Sequence, residues 1–340
     1  MFRLLFFFFF VMFRLCGQIE DSIIEDLNHP DFEELQGKIP KSALEAAKKL
    51  FQENKTKIRV VSYNMLFNLP HAEEKLDEED RWPKRKERVL EWIEEVDPDI
   101  IGSQELQKDQ LDWLSLSLSA TYGYYGVGRD DGRDGGEIEA IFYRKSRFFL
   151  VDGKTIFLSE TPDKPGPNLH GQKNAVTQCR FRDAVSGREF YVLNVHFSFG
   201  NLESRQYEAK LLADIIDDLE DDEEDVPIIV MGDLNTFSFF VDLDLPFYDG
   251  DLVMQMLTEE SLVDARRVAK LGHLGPIVST NYSQEDERAF SDDWTPGVIL
   301  DHILVNESFI VLIHGIDPAR VDGRYVSDHF PVVADVIFKP

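Results

Sequence analysis

The chain has 340 residues, of which 43% are hydrophobic and 29% are charged. This is the composition of an ordinary globular protein, so a fibre or a mainly disordered chain is excluded, and we expect one large folded domain. The formal net charge of −28 disfavours stable binding to duplex DNA, because phosphate backbones repel an acidic surface. A nuclease is not excluded, since an active-site metal reverses that field locally.

The first 17 residues, MFRLLFFFFFVMFRLCG, have the pattern of a secretory signal peptide. A basic start precedes a Phe-rich run that is shorter than the roughly 20 apolar residues of a membrane span. We therefore expect a secreted or periplasmic protein without a transmembrane span. The alternatives are a membrane anchor formed by an uncleaved leader, lipid attachment at Cys16, or a buried amphipathic start. The other cysteine, Cys179, is predicted to be a core residue.

After the leader, residues 18–57 are predicted to be a polar lead segment with one helix at KSALEAAKKLF, and residues 58–340 the catalytic domain. The domain begins with strand IRVVSYNML, helix WPKRKERVLEWIEEV and strand DIIGSQE. Further predicted strands are AIFYR, FFLV, TQCRFRD, REFYVLNVHF, PIIVMGD, ILDHILV and VVADVIF, with helices at Leu202 to Leu219 and Leu252 to Leu257. Many strands and a few helices predict two packed sheets flanked by helices, a layered α/β sandwich.

Two further segments are interpreted from their composition. The acidic run DDLEDDEED is predicted to be a solvated loop or helix end. The stretch FSFFVDLDLPFYDGD follows a candidate active-site motif, and it either forms a rim that contacts substrate or packs into the core.

Polar side chains stand beside the ends of the apolar strands, where the chain leaves a sheet and side chains can converge. These carboxylate, amide and imidazole groups are Asn64, Glu105, His196, Asp233, Asn235, Asp301, Asp328 and His329. Singly each is a weak signal, because GDLN could be a tight turn with an Asx cap and SDH a capped strand end. Their joint occurrence favours one site.

The carboxylates predict a hard metal ion. Magnesium prefers oxygen ligands, so Glu105 with Asp328 suits magnesium or manganese. Zinc fits less well, because the His residues lack paired spacing and only one Cys lies outside the leader.

The remaining groups suit hydrolysis of a phosphoester, which needs an activated water and positive charge near the phosphate oxygens. Asp233 is the candidate proton acceptor for the attacking water, and Asn235 orients the water or the phosphate. His329, held by Asp301, and His196 are candidate donors to phosphoryl oxygens.

Seven motifs follow one another along the chain: VVSYNML, DIIGSQE, GVGRDDG with GE and IFYR, YVLNVHF, VMGDLN, LDHILV and SDHFPV. Their order resembles that of the endonuclease/exonuclease/phosphatase superfamily, to which DNase I belongs. The resemblance spans Arg59 to Phe338. It implies a four-layer α/β/β/α sandwich, with Glu105 as metal ligand and Asn64 beside it. It also implies a supporting pair of Asp301 and His329, Asp328 near the metal, Asp233 and Asn235 at the water, and His196 at the phosphate.

The segment GVGRDDGRDGGEIEAIFYRKSRF resembles a compact, often secreted bacterial branch of unassigned substrate. The candidate substrate contacts are Asn64 and, within this segment, Arg129 and Tyr143. Arg129 is equally compatible with a solvated loop. The branch implies an Arg where this chain has Asn174, and an Asp and a His where it has Ser198 and Phe199. These departures weaken any transfer of substrate.

We therefore expect a magnesium-dependent phosphoesterase, monomeric, that cleaves a phosphodiester or phosphomonoester. The alternatives are a nuclease acting on the ends of RNA or single-stranded DNA, a sphingomyelinase-like lipid-headgroup phosphodiesterase, and a secreted binding protein without catalysis. The complete set of candidate ligands disfavours the last. The inositol 5-phosphatase subclass is excluded, since LDHILV lacks its Cys and Arg.

Overall fold

Two large β-sheets form the centre of the protein, which is represented by a computed structural model. The structure describes residues 56–223, 225–236, 252–259, 261–280 and 298–340. Ile58–Pro340 forms one compact unit. The predicted signal peptide, the predicted helix in the lead segment and the stretch FSFFVDLDLPFYDGD lie outside the described residues.

Fifteen strands occur in the described ranges, numbered here in chain order. They are β1 (Ile58–Asn64), β2 (Ile100–Gln104), β3 (Tyr122–Tyr125), β4 (Ile141–Arg144), β5 (Phe148–Phe157), β6 (Ala175–Asp183), β7 (Glu189–His196), β8 (Ile228–Asp233), β9 (Val263–Asp264), β10 (His273–Leu274), β11 (Asp301–Val305), β12 (Phe309–Ile316), β13 (Arg320–Val321), β14 (Arg324–Tyr325) and β15 (Val332–Phe338). The helices among the same residues are α1 (Pro70–Glu73), α2 (Trp82–Val96), α3 (Lys108–Ser117), α4 (Leu202–Asp222), α5 (Leu252–Thr258) and α6 (Ala265–Val268), with a 3-10 turn at Glu78–Asp80.

Thirteen of these strands form two large sheets that each contain a central parallel pair, and β13 pairs with β14 in a separate two-stranded sheet. The first has the order β10-β12-β15-β1-β2-β4-β3, and the second has the order β5-β6-β7-β8-β11-β9. Strands β1 and β2 run parallel, as do β7 and β8, while the other neighbours of these four strands are antiparallel. The carboxyl ends of a parallel pair meet at one sheet edge, which is where ligands bind in open α/β sheets.

The inner faces of the sheets share one apolar core. It includes Ile58 and Val60 from β1, Phe181 from β6 and Val192 from β7, all buried. Every residue of β1 is buried, because the outer face of its sheet is covered as well as the inner one. Such burial contributes about 1.5–3 kcal/mol for each large apolar side chain.

Helices cover the outer faces of the sheets. Helix α2 packs on the first sheet, with the Trp92 ring 5.1 Å from the Tyr63 ring. Apolar side chains of α4 and α5 pack on the second sheet, and Leu212 and Val253 belong to the same buried cluster as Leu193 of β7. The layers therefore run helix, sheet, sheet, helix, and the predicted four-layer α/β/β/α sandwich is confirmed.

The structure contains the predicted helices of the catalytic domain, with small differences in where they end. Helix α2 has the predicted bounds, and α4 begins at Leu202 but continues to Asp222 into the acidic run. Asn201 caps α4, because its side chain accepts a hydrogen bond from the Ser204 amide at 2.9 Å. The sequence prediction omits α3 and β12. No helix in the described part of the chain is long and apolar enough to cross a membrane.

Candidate active site

The two parallel strand pairs bring the candidate residues together. Asn64 ends β1, and Glu105 directly follows β2 in the first sheet. In the second sheet, Asp233 at the end of β8 lies opposite both His196 of β7 and Asp301 of β11. Because the sheets face each other, the strand ends form a single cluster.

Asn64 connects the two sheets. Its Nδ2 donates hydrogen bonds to Oε1 of Glu105 at 2.9 Å and to Oδ2 of Asp233 at 3.0 Å. Its Oδ1 accepts a hydrogen bond from the Leu66 amide at 3.1 Å. An amide with both ends engaged has a fixed orientation, so Asn64 sets the spacing of the two carboxylates.

Glu105 occupies a strained and partly buried position. Its φ is 65°, which is uncommon for a residue other than glycine and points to function. Its Oε2 accepts a hydrogen bond from the Phe67 amide at 3.1 Å. Burial, followed by the negative charges of Asp328 and Glu137, raises the pKa of Glu105 to about 7. The positive charges of His196 and His329 lower this pKa, but they do not offset burial and the two neighbouring carboxylates.

The GDLN segment holds Asp233 and Asn235 in a tight turn. The Asn235 amide donates to Oδ1 of Asp233 at 2.9 Å, and Asn235 itself has a φ of 47°. Gly232 is required just before it, because a Cβ there would lie 1.9 Å from the carbonyl oxygen of Val195. The motif is therefore a structural turn as well as a source of polar groups.

His329 is held by Asp301. Its Nδ1 lies 2.8 Å from Oδ2 of Asp301 and 3.8 Å from Oδ2 of Asp233. Burial lowers the pKa of His329, but the two carboxylates outweigh burial and raise it well above its ordinary value. The protonated imidazole is therefore favoured.

His196 forms a second such pair with Glu137. Its Nδ1 lies 3.1 Å from Oε2 of Glu137, and its Nε2 lies 3.6 Å from Oδ2 of Asp233. Burial lowers the pKa of His196, while Glu137 and Asp233 raise it to about 9. The side-chain amide nitrogen of Asn235 lies 3.1 Å from Nε2. Because that nitrogen is a hydrogen-bond donor, it opposes protonation of His196 at Nε2. The carboxylates have the larger effect on this pKa, since they carry full charges.

Arg129 stands behind this pair rather than open to solvent. Its guanidinium donates to Oε1 of Glu137 at 2.8 Å and to Oδ1 of Asn174 at 3.0 Å. Glu139 lies 3.7 Å away and is fully buried, and its oxygens accept no hydrogen bond from the described residues. Burial raises the pKa of Glu139 to about 7. The sequence prediction gave no role to Glu137, although the GE motif contains it.

Tyr143 does not lie in this cluster. It pairs with Ile100 at the far end of β2, and its ring lies 5.0 Å from the Phe181 ring, against the core between the sheets. The prediction followed the IFYR motif, but the motif's strand carries Tyr143 away from the sheet edge that holds Glu105. This geometry does not support the predicted substrate contact.

Buried side chains missing from the prediction support the cluster. The Arg85 guanidinium donates to the carbonyls of Met65 at 2.7 Å, Leu66 at 3.0 Å and Val326 at 3.1 Å. These bonds hold the turn after Asn64 against the segment that leads to Asp328. Such contacts to backbone carbonyls leave no motif in a sequence.

The donor set fits a hard divalent cation. Carboxylate, imidazole and amide groups converge, and atoms of Glu105, His196 and Asp233 lie within 4.8 Å of one another. Asp328 is buried and contributes to the raised pKa of Glu105. A cation beside Glu105 and Asp328 would offset this repulsion, and oxygen-rich sites of this kind suit magnesium or manganese.

The chain matches the model of the Endonuclease/Exonuclease/phosphatase family over residues 61–329, and it belongs to this family. A family protein of Bacteroides thetaiotaomicron has a similar structure, with a TM-score of 0.70 and 27% identity over 84% of this chain and 99% of that one. A mannosyl-6-phosphatase of the same organism has a TM-score of 0.68 and 27% identity, covering 83% of this chain and 100% of that one. An uncharacterised protein of Acanthamoeba polyphaga mimivirus is 25% identical over 276 residues, which cover 76% of this chain and 92% of the relative.

The family and the site together define the class of enzyme. The protein is a hydrolase that acts on phosphoester bonds. The predicted resemblance to the superfamily is thereby confirmed.

Proposed function

We propose that the protein is a magnesium-dependent phosphoesterase in which Asp233 activates a water for in-line attack on a small phosphorylated molecule. The position of Asp233 carries this proposal. Its Oδ2 accepts a hydrogen bond from Asn64 at 3.0 Å and lies 3.6 Å from His196 and 3.8 Å from His329. A base placed between two cationic imidazoles suits attack on an anionic phosphate.

Glu105 and Asp328, with Asn64 beside them, would hold the metal, and manganese is the alternative ion. When bound there, the ion supplies Lewis-acid stabilisation of charge on the phosphate oxygens.

The protein's own groups divide the remaining work. Asp233 accepts a proton from the water, and Asn235, fixed by its bond to the Phe197 carbonyl at 2.8 Å, orients that water or the phosphate. His329 and His196 donate hydrogen bonds to phosphoryl oxygens, since Asp301 and Glu137 keep them protonated. Arg129 positions Glu137, and its two engaged nitrogens disfavour the direct phosphate contact predicted for it.

A small substrate is favoured over a nucleic acid. The net charge of −28 repels a polyanion, whereas a single phosphate needs only the local field of the site. The 27% identity to a mannosyl-6-phosphatase supports a monoester of a small molecule, without specifying a sugar.

A substrate panel with magnesium tests this proposal. The panel contains sugar phosphates, nucleoside monophosphates, inositol phosphates, sphingomyelin, single-stranded RNA and single-stranded DNA. We expect the highest kcat/KM for a small phosphoester. A clear preference for RNA or DNA ends would support the nuclease alternative instead, and a preference for sphingomyelin would support a lipid-headgroup enzyme.

We further propose that the protein is exported, which rests on the leader MFRLLFFFFFVMFRLCG alone. Amino-terminal sequencing of the protein from the medium or periplasm should begin beyond the leader. An intact Met1 on protein from the cytosol would contradict export, and an intact leader in the membrane fraction would indicate an anchor.

A further inference from the structure

A buried polar network lies behind the segment that follows His196. Glu208 of α4 is fully buried, and its Oε1 accepts hydrogen bonds from Asn168, Asn174, Ser198 and Ser204 at distances between 2.6 and 2.9 Å. Its Oε2 accepts one from the Ser198 amide at 2.8 Å. A buried carboxylate with this many donors fixes everything bonded to it.

The network fixes two surface loops on α4. Asn168 belongs to the loop between β5 and β6, and its Nδ2 also donates to the Ser204 hydroxyl at 2.7 Å. Ser198 lies in the turn between β7 and α4, and its hydroxyl lies 2.9 Å from the same Ser204 hydroxyl. The two loops therefore share one anchor and are held beside each other.

Each anchored loop then exposes a large apolar side chain. Leu169 directly follows Asn168 and is 62% exposed, and Phe199 directly follows Ser198 and is 73% exposed. Leu202, in the first turn of α4, is 37% exposed. Scattered exposed apolar residues are ordinary, but these three follow closely on residues that one buried network anchors, and we call them together the apolar ledge.

Within the apolar ledge, defined here as Leu169, Phe199 and Leu202, Phe199 is linked to the catalytic cluster through Phe197. The Phe197 carbonyl accepts the hydrogen bond from Asn235 at 2.8 Å. Phe199 is two residues further along, so its Cα lies at most about 7 Å from that of Phe197. The Phe199 backbone therefore lies close to the residue that Asn235 contacts, and the exposed Phe199 side chain is free of the core.

We propose that the apolar ledge binds an aromatic ring of the substrate, as in a nucleoside monophosphate or a short nucleotide ester, by stacking on Phe199. This inference rests on the proposed phosphoesterase function. Aromatic side chains bind nucleobases by stacking, whereas the hydroxyl groups of a sugar would find no polar partner on Leu169, Phe199 or Leu202. The acidic chain favours one such ring on a small molecule over a polymer of them.

Matched pairs of esters test the inference in the full-length protein with magnesium. Adenosine 5′-monophosphate and ribose 5-phosphate carry the same phosphomonoester and differ in the base. The p-nitrophenyl esters of thymidine 5′-monophosphate and of 2-deoxyribose 5-phosphate are the corresponding diesters, which again differ in the base. In the pair that is hydrolysed, we expect the ester with the base to have a kcat/KM at least about tenfold higher, the order of magnitude of one stacked base.

Phe199→Ala should remove most of that preference, and Phe199→Trp should keep it. Phe149→Ala is the matched control, since Phe149 is 62% exposed on β5, near the strand end opposite to the catalytic edge. Calorimetric binding of adenosine 5′-monophosphate and ribose 5-phosphate gives a second readout that does not depend on catalysis.

Equal kcat/KM and equal binding of the two members of a pair would overturn the inference, as would a preference that survives Phe199→Ala. If Phe199→Ala instead changes the sedimentation coefficient across a concentration series, the apolar ledge is a contact between copies of the chain and the inference fails. Absence of turnover for every phosphoester would contradict the proposed function, and stacking would then be judged by binding alone.

Discussion

Oδ2 of Asp301 lies 2.8 Å from Nδ1 of His329, and both side chains are buried in the catalytic cluster. Asp301→Asn keeps the shape of the residue but removes the charge that favours protonated His329. We expect kcat to fall about 10²-fold, the range for losing one positioned acid–base group. Steady-state kinetics with a chromogenic phosphoester gives the measurement.

The same pair permits a double-mutant cycle. Because Asp301 acts through His329, the variant Asp301→Asn/His329→Gln should be little worse than His329→Gln alone. Losses of activity that multiply would show that the two residues act independently.

Much of this cluster follows from the positions of the apolar strands. Asn64, Glu105, His196 and Asp233 adjoin buried runs whose ends are visible in the sequence, so their convergence is predictable once the strands are known to be parallel. The prediction for Tyr143 rests on the IFYR motif and not on a strand end, and the antiparallel pairing of its strand with β2 places it beside Ile100, away from the catalytic edge.

Long-range polar contacts could not be predicted in this way. Glu208 bonds to Asn168 across 40 residues and Arg85 to Val326 across 241, and neither spacing follows a period. The Asn174 and Ser198 departures gain their meaning only in the structure, where both bond to Glu208. Strand β12 was omitted although its apolar run FIVLIHGI is a visible signal.

Metal binding should be detectable without catalysis. We expect magnesium to raise the Tm of protein that has first been treated with a chelator. At a magnesium concentration of 100 times Kd, binding adds about 2.7 kcal/mol to the free energy of unfolding. Glu105→Gln should reduce that shift strongly, because it replaces a proposed ligand by a neutral group. A shift of the same size in the variant would exclude Glu105 as a ligand.

Gly232 should be indispensable for folding around Asp233. A Cβ at this position would lie 1.9 Å from the Val195 carbonyl oxygen, so Gly232→Ala forces the backbone of β7 and β8 apart. We expect a loss of about 3 kcal/mol in the free energy of unfolding. Gly166→Ala is the control, since a Cβ there meets nothing within 4 Å. Equal stability of the two variants in urea would contradict this geometry.

Asp317 should make stability depend on pH. It is buried, accepts a hydrogen bond from Nε1 of Trp92 at 2.9 Å, and has a pKa raised by burial from 3.8 to about 6. Between these values the folded protein keeps a proton that the unfolded chain has lost, so the free energy of unfolding falls as the pH rises from about 4 to about 6.

Asp317→Asn keeps an acceptor for Trp92 and removes this titration. Relative to the unchanged protein, the variant should gain about 2 kcal/mol of stability between pH 4 and pH 7, as a shift of this size implies. Urea unfolding at both pH values gives the comparison. A difference between the two proteins that stays constant with pH would contradict the raised pKa.

The proton-accepting role of Asp233 is the central claim, and hydrolysis of bis-p-nitrophenyl phosphate with magnesium tests it most directly. Asp233→Asn should reduce kcat at least about 10³-fold, within the range for loss of a general base. Asp152→Asn, which changes an exposed carboxylate on β5, should leave kcat unaltered. If the folded Asp233→Asn protein turns over at nearly the original rate, Asp233 does not activate the water and the proposed mechanism is wrong.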